Sequence, residues 1–553
     1  MQQVGGADLS AGHLIVAQLE AAGVKRVYGV PGESFLDVLD GLHDSSISTV
    51  VTRHEGGAGF MALAEGRLTN LPGVAMVTRG PGAANAFIAV HTAYQDATPL
   101  VLFVGLIPVA DRGRESFQEF DINAWFGSTA KKVLTLDHAA SAAAIVDDAI
   151  HTALSGRPGP VVIGLPEDVL THTVPGCAPV PPRALARTAP SSSALQEFET
   201  RLANAGRPMV VVGGESWTQD SGEALVRWAA ERAIPVAADF RAYDAVPHRL
   251  DGGNSYVGSL GYARSDALVG RFEKSDLLVF VGCPRADVLS DGYTVGLEAE
   301  TVVVMPGDTL GHFGRLDQHI VADPVAFIEA LAGRSATSAA EPSWLPDARA
   351  EYERFSSPAP TDGGRGVDLT ECMAVLRDEL DDDAVITYGA GNHALWPARY
   401  LQHATADSLV APRNGAMGVG IPAAVAAGLI FPGRQVVSVA GDGCFLMNGQ
   451  ELATAVAYGS APVVIVVDNG CFATIREHQE RSYPGRPSGT ALTNPDFAQW
   501  AESFGGHSER VERTSDFRDA FRRAAASGKP ALLHVLQDPS IRSPKTGEQE
   551  EAR

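Results

Sequence analysis

The stretch from Val437 to Cys471 constrains this chain more than any other. A short apolar run, Val437 to Ala440, leads into Gly441-Asp442-Gly443. A helical pattern follows through Leu452, Ala455 and Val456, and a second apolar run, Val463 to Val467, ends in Asp468-Asn469-Gly470. Short apolar runs closed by turn residues read as buried strands, so the stretch is one β-α-β unit. Both strands of such a unit finish at the same edge of a parallel sheet, which brings Asp442 and Asn469 together. A carboxylate and an amide oxygen are hard ligands suited to Mg²⁺ or Ca²⁺, and Mg²⁺ takes its remaining ligands from phosphate and water. Gly441 and Gly443 would let backbone approach a phosphate, and the following helix presents its N-terminal end. These residues point to a metal-diphosphate site; a purely structural strand-turn-helix is the plainer alternative.

The rest of the chain repeats the α/β pattern. Strand-like runs recur at Val27–Val30, Ile47–Thr52, Val74–Thr78, Leu100–Val104 and Val161–Leu165. They recur again at Met209–Val212, Ile234–Ala237, Leu277–Val281, Thr301–Met305 and Ala384–Thr387, with helical patterns such as His13–Ala22 between strands. Strands alternating with helices imply doubly wound parallel sheets. A chain of 553 residues exceeds one core, and the expectation is three α/β domains, 1–185, 190–335 and 366–538. Pro175–Pro190 and residues 335–365, rich in Pro, Ala, Ser and Gly, read as linkers, and the tail from Pro539 reads as mobile.

A net charge of −23, from 43 Lys+Arg against 66 Asp+Glu, disfavours nucleic acid and anionic membrane surfaces as partners. No apolar run has transmembrane length, Met1–Ser10 lack signal-peptide features, and five scattered cysteines fit a reducing cytoplasm.

Two further carboxylates fall at strand ends. Glu55 follows the run Ile47–Thr52, and Glu33 follows Val27–Val30 and Pro31-Gly32. Carboxylates at that edge can face an active-site crevice. The plainer reading of each is a first-turn acid favoured by the helix dipole, and for Glu55 position alone prefers it.

Gly441-Asp442-Gly443 with its Asn-closed strand resembles the signature of thiamine-diphosphate-dependent enzymes, and the resemblance covers nearly the whole chain. It implies pyrimidine-binding, central and diphosphate-binding domains in that order. It implies Mg²⁺ on Asp442, Asn469 and the carbonyl of Cys471, with Asp468 standing where most members carry a first Asn. Arg53-His54-Glu55 resembles the segment that supplies the catalytic Glu, so Glu55 would bond N1′ of the aminopyrimidine and thereby activate the thiazolium carbon. Asn414–Gly420 looks like the segment that bends the cofactor, with Met417 as wedge and the Gly415 carbonyl accepting from the 4′-amine. Ala390–Trp396 resembles the diphosphate loop, with Gly391, Asn392 and His393 donating to phosphate. Gly80–Asn85 resembles the turn lining the pyrimidine, adding Gly82 and Asn85. Pro31, Gly441, Gly443 and Cys444 complete the implied cofactor contacts, although the Cys444 and Cys471 thiols read as small loop and core groups.

Within that family the chain looks most like the acetolactate synthase large subunit, through Phe117-Gln118-Glu119, Lys131, Gly415–Pro422 and Asn494–Phe497. Gln118 is therefore a catalytic candidate. Leu106 departs from the Gln of those enzymes, His478 replaces the Trp that shapes their acceptor preference, and Val288 falls where they carry an Arg for the acceptor carboxylate. Losing that Arg removes a bidentate contact and argues against acetolactate synthesis and against bound FAD; neighbouring Arg285 is a substitute to consider. Gly29–Glu33 resembles instead the G-V-P-G-D of pyruvate decarboxylases, where the acid is catalytic. The resemblance implies a thiamine-diphosphate and Mg²⁺-dependent 2-oxo acid decarboxylase or carboligase, acting on 2-oxo acids or aldehydes as a cytoplasmic homodimer or homotetramer whose outer domains face each other across the dimer interface. A benzaldehyde-lyase-like 2-hydroxy ketone lyase or ligase is the alternative enzyme, and a catalytically silent cofactor-binding regulator the alternative from another class.

Overall fold

Central strands with continuously apolar sequences, such as Leu100–Leu106 and Pro160–Pro166, are buried along their whole length, as strands covered on both faces by helices must be. The computed structural model describes residues 7–214, 216–307, 311–334, 338–361 and 364–544. The tail residues Lys545, Glu548, Glu550 and Glu551 lie outside them. The described chain forms two compact units, the first comprising the residues up to Ala186 with 425–431 and 448–460, the second the remainder.

The strands of the first unit are β1 (Ala7–Ser10), β2 (Arg26–Gly29), β3 (Ser48–Val51), β4 (Gly73–Val77), β5 (Leu100–Leu106), β6 (Lys132–Thr135), β7 (Pro160–Pro166) and β8 (Thr173–Cys177). Six form a parallel sheet in the order β3-β2-β4-β5-β7-β6, and β1 pairs antiparallel with β8. Helix Glu55–Thr69 is apolar nearly all round and is buried accordingly. It lies so close to helix Pro81–Asp96 that a Cβ on Gly59 would come within 2.4 Å of the Ala89 Cβ.

The second unit holds two sheets. The central one contains β9 (Pro208–Val212), β10 (Val236–Ala238), β11 (Tyr256–Ser259), β12 (Leu277–Val281), β13 (Glu300–Met305) and β14 (Gln318–Val321), ordered β11-β10-β9-β12-β13-β14. The last contains β15 (Val385–Tyr388), β16 (Leu409–Val410), β17 (Val436–Gly441), β18 (Val463–Asp468), β19 (His507–Val511) and β20 (Ala531–Leu536), ordered β16-β15-β17-β18-β20-β19. Both are parallel, and the doubly wound α/β class expected from the alternation is what the chain adopts.

The first and last sheets share one topology: by order of appearance, both run second, first, third, fourth, sixth, fifth. Strand order therefore reverses between β2 and β4 and between β15 and β17, and open α/β sheets bind ligands outside the carboxyl ends of strands at such points. The central sheet has the dinucleotide-fold order, with its reversal between β9 and β12.

The second linker requires correction. Residues 335–365 contain helix Trp344–Ser356, which buries Trp344, Leu345, Ala348 and Tyr352. Its helical period was obscured by Ser, Pro and Gly clustered on both sides. Among the described residues no helix is long and apolar enough to cross a membrane.

Candidate active site

In the first unit, Glu55 opens helix Glu55–Thr69, and the ring of His54 caps that helix by accepting from the Gly56 N–H at 3.0 Å. With the cap supplied by its neighbour, the Glu55 carboxylate turns outward. Its Oε2 accepts from Asn85 Nδ2 at 2.9 Å, and a Cβ on Gly82 would lie 3.4 Å from its Oε1. Glu55, Gly82 and Asn85, separate in sequence, thus form one group. The helix-acid reading and the crevice reading of Glu55 are compatible.

A buried Glu451, unseen in the sequence, fixes the approach to Glu55. Its two carboxylate oxygens accept from the Arg53 N–H at 3.1 and 3.2 Å and from Thr454 Oγ1 at 2.6 Å. A Cβ on Gly57 would come within 2.5 Å of Glu451 Oε1, so a larger residue there would displace the Glu451 carboxylate. Burial pushes the Glu451 carboxyl up, and the bonds from Thr454 and Arg53 partly offset this.

Arg79 was also missed. It follows β4 at the reversal point, is buried, and donates to Glu33, to Glu167 and, through Nε, to Gln118 Oε1 at 3.2 Å. Glu33 and Gln118 are thereby brought together, and the Glu33 side chain is 69% exposed and ion-paired with Arg79. A strand-end Glu next to a strand-end Arg is a signal that asking for the acid's counter-ion would have found. Gln118 adopts φ +64°, folded over Gly80, whose own φ is +52°. Pro31 lies on the exposed rim of this loop.

In the second unit, Asp442 and the loop after β18 converge. Asp442 Oδ1 accepts from the Gly443 N–H at 2.8 Å, and Oδ2 from the Gly470 N–H at 2.9 Å and Asn494 Nδ2 at 2.8 Å. Asp468 Oδ1 shares those two donors, Gly470 at 3.1 Å and Asn494 at 2.7 Å, while its Oδ2 pairs with His534 at 2.9 Å. Burial pushes Asp442 up. Burial also opposes ionisation of Asp468, but His534 and Asn494 outweigh it and hold that carboxyl below its ordinary range. His534 is the compensation for Asp where an Asn was expected. Asn469 Oδ1 accepts from the Cys471 N–H at 3.1 Å and closes the turn.

Asp442, Asn469 and the Cys471 carbonyl therefore sit on one pair of linked loops. Among the described residues no group of three His, Cys, Asp or Glu could hold a metal, so a metal here would rest on one carboxylate with amide and peptide oxygens. That donor set is hard and suits Mg²⁺. Asn494 Oδ1, buried beside it, has no hydrogen-bond partner among the described residues.

The loop after β15 supplies a cradle. His393 is buried, its Nε2 has no hydrogen-bond partner among the described residues, and burial lowers it to about 3, so the ring is neutral. A Cβ on Gly391 would lie 2.9 Å from His393 Nδ1, and one on Gly441 2.7 Å from it. The glycines assigned to phosphate approach thus serve other neighbours: Gly441 makes room for the imidazole, and Gly443 for the Phe472 ring at 2.5 Å. Asn392 is committed as well, donating to Glu477 at 3.0 Å and accepting from Thr474 at 2.6 Å. A neutral imidazole with a bare nitrogen fits a phosphate oxygen.

Met417 is half-buried in the loop before helix Gly420–Ile430, and Gly415 is exposed with φ +71°. Contacts to neighbouring segments hold this loop. The Gly418 N–H points to Cys444 Sγ at 3.2 Å, and Arg413 pairs with the fully buried Asp239. Cys444 is buried beside the loop, and burial raises its thiol. His478 is exposed on helix Ala473–Ser482 and accepts from Arg481 at 2.6 Å. Val288 lines a cavity of about 370 Å³ with Tyr262, Arg264 and Asp291. Arg285 runs back to Thr301 Oγ1 at 2.8 Å and is fully buried, so it does not take the place of the missing Arg.

Two sheets of one topology, each gathering polar groups at its reversal point, define an α/β enzyme that binds an anionic cofactor at strand ends. Residues 9–125, 195–331 and 389–535 match, respectively, the N-terminal TPP binding domain, the central domain and the C-terminal TPP binding domain of thiamine pyrophosphate enzymes. The chain belongs to the thiamine pyrophosphate enzyme family. It is 30% identical to a probable acetolactate synthase large subunit of Methanocaldococcus jannaschii, over 95% of this chain and 91% of that one. It is 29% identical to a catabolic acetolactate synthase of Raoultella terrigena (95% and 94%) and 31% identical to an acetolactate synthase large subunit of Mycobacterium tuberculosis (94% and 86%).

Proposed function

We propose that this chain uses thiamine diphosphate and Mg²⁺ to decarboxylate a 2-oxo acid and join the remaining fragment to a second carbonyl compound, working as a homo-oligomer. The observation that carries the reading is the hard-oxygen set of Asp442, Asn469 and Cys471 at the carboxyl ends of β17 and β18, with a neutral His393 whose Nε2 is unpartnered among the described residues in the loop after β15. Thiamine diphosphate, when bound, supplies a nucleophilic carbon and a sink for the electrons left as carbon dioxide departs. Asp442, Asn469 and the Cys471 carbonyl would hold Mg²⁺, His393 would donate to phosphate, and Met417 would set the bend of the cofactor. Glu55, oriented by Asn85, would hold a proton at its carboxylate against the pyrimidine ring. Glu33, oriented by Arg79, would move a proton on the substrate side, with Gln118 kept beside it by the same guanidinium.

The acceptor side favours an aldehyde over a 2-oxo acid. Val288 offers no charge for a carboxylate, Arg264 beside it is paired with Asp291, and Arg285 is turned away. Mass spectrometry of products from paired 2-oxo acids and aldehydes tests the reaction, and ligation to 2-oxo acids alone would reverse the acceptor assignment. For Glu55→Gln, cofactor should bind while hydrogen-deuterium exchange at its reactive carbon slows at least tenfold, as read by NMR. Parental exchange in the variant would remove Glu55 from the chemistry.

A further inference from the structure

Arg241, at the carboxyl end of β10 in the central domain, combines three features that seldom coincide. It is only 7% exposed, its Nε and Nη1 have no hydrogen-bond partner among the described residues, and its backbone sits at φ +68°. Left-handed backbone at a non-glycine residue is strained and persists where the surroundings enforce it, often at binding sites. A buried guanidinium with unmet donors is costlier still. Nearby carboxylates do not relieve it. Asp239 is committed to Arg413, and Asp244 accepts from the backbone N–H groups of Ser408 and Leu409.

The guanidinium instead lies over two rings, its Cζ 4.5 Å from the centre of Phe240 and 4.6 Å from that of Tyr388, and it contacts the Tyr388 hydroxyl. Tyr388 is the last residue of β15, so Arg241 stands over the strand that leads into the Gly391–His393 cradle. Its charge is felt at His393 and at Cys444. The other members of the cradle are neutral, and Asp442 is an acid. A diphosphate carries more negative charge than one Mg²⁺ cancels, and in a dry site that excess needs a cation.

We propose that Arg241 is a phosphate-binding residue, contributed by the central domain, that holds a diphosphate oxygen of the cofactor at the β15–β17 reversal point. The inference rests on the cofactor assignment above. The guanidinium suits this role because it stays charged when buried and can donate two parallel bonds to one phosphate group.

The test compares the parent chain with Arg241→Met and Arg241→Lys by calorimetry, using Mg²⁺ with thiamine diphosphate, with inorganic pyrophosphate and with unphosphorylated thiamine. Arg241→Met should weaken both phosphorylated probes about tenfold or more and leave thiamine unchanged, with Arg241→Lys recovering part of the loss. The ligand-free Arg241→Met chain should melt no lower than the parent, because it loses an uncompensated buried charge. Parental pyrophosphate affinity in Arg241→Met, or a lower ligand-free melting temperature with unchanged affinities, would overturn the proposal. A parent that binds pyrophosphate but not thiamine diphosphate would refute the cofactor assignment and leave the phosphate role of Arg241 standing.

Discussion

Asp442 and Asp468 divide one pair of donors, the Gly470 N–H and Asn494 Nδ2, and of the two it is Asp468 that pairs with a histidine, His534. The unshared burden on Asp442 is what a divalent cation would relieve. Asp442→Ala should weaken Mg²⁺-dependent thiamine diphosphate binding at least tenfold, the scale of one charge-assisted contact at ~1.5–3 kcal/mol; calorimetry with and without Mg²⁺ checks this. His393 gives a pH dependence of definite sign. Its folded value, about 3, lies below the ordinary 6.5, so the neutral ring is favoured in the fold. The associated stability is complete above pH 6.5 and is lost as pH falls toward 3. One such group removes ~2 kcal/mol between pH 7 and 5. Denaturant titrations at those two pH values should show a smaller acid loss in His393→Gln than in the parent. Residue identities at strand ends were legible in the sequence because turn chemistry is local. The partners were not: Glu451 reaches Arg53 and Arg79 reaches Glu167 only through the folded chain.

At the scale of elements, glycine placement decides how closely helices approach. Helix Glu55–Thr69 carries Gly59 against Ala89. Replacing Gly59 by Ala should gain ~1 kcal/mol of helix propensity, but a Cβ 2.4 Å from the Ala89 Cβ forces overpacking that costs ~1–3 kcal/mol. The variant should therefore be less stable than the parent, and adding Ala89→Gly should restore it; paired urea titrations decide between propensity and packing. Central strands such as β5, β7 and β12 were readable as apolar runs, but the equally buried interior strand β20 was not read from the sequence. Edge strands such as β6, β14 and β19 were not, because Lys132–Thr135, Gln318–Val321 and His507–Val511 mix polar residues into half-exposed backbone. Helix Trp344–Ser356 was missed for a related reason, since composition averaged over residues 335–365 hid one amphipathic stretch within it.

For the whole molecule, a ligand that binds only the folded chain raises its stability by mass action, ~2.7 kcal/mol at a hundredfold excess over Kd. Thiamine diphosphate with Mg²⁺ should raise the melting temperature in scanning fluorimetry, chelation should remove the shift, and Asp442→Ala should show little of it. By itself the sequence determined the α/β class and the acids at strand ends, because strand period and turn residues act over a few neighbours. It also determined the loop pair that joins Asp442 to Asn469, because a β-α-β unit leaves only one edge for both. Only the tertiary structure decided that Gly441 makes room for His393, that Glu33 is paired and exposed, that Arg285 turns toward Thr301, and that the buried Arg241 lies over the Tyr388 ring. Those outcomes depend on which side chains meet across distant segments, and burial, charge pairing and van der Waals contact operate through space rather than along the chain.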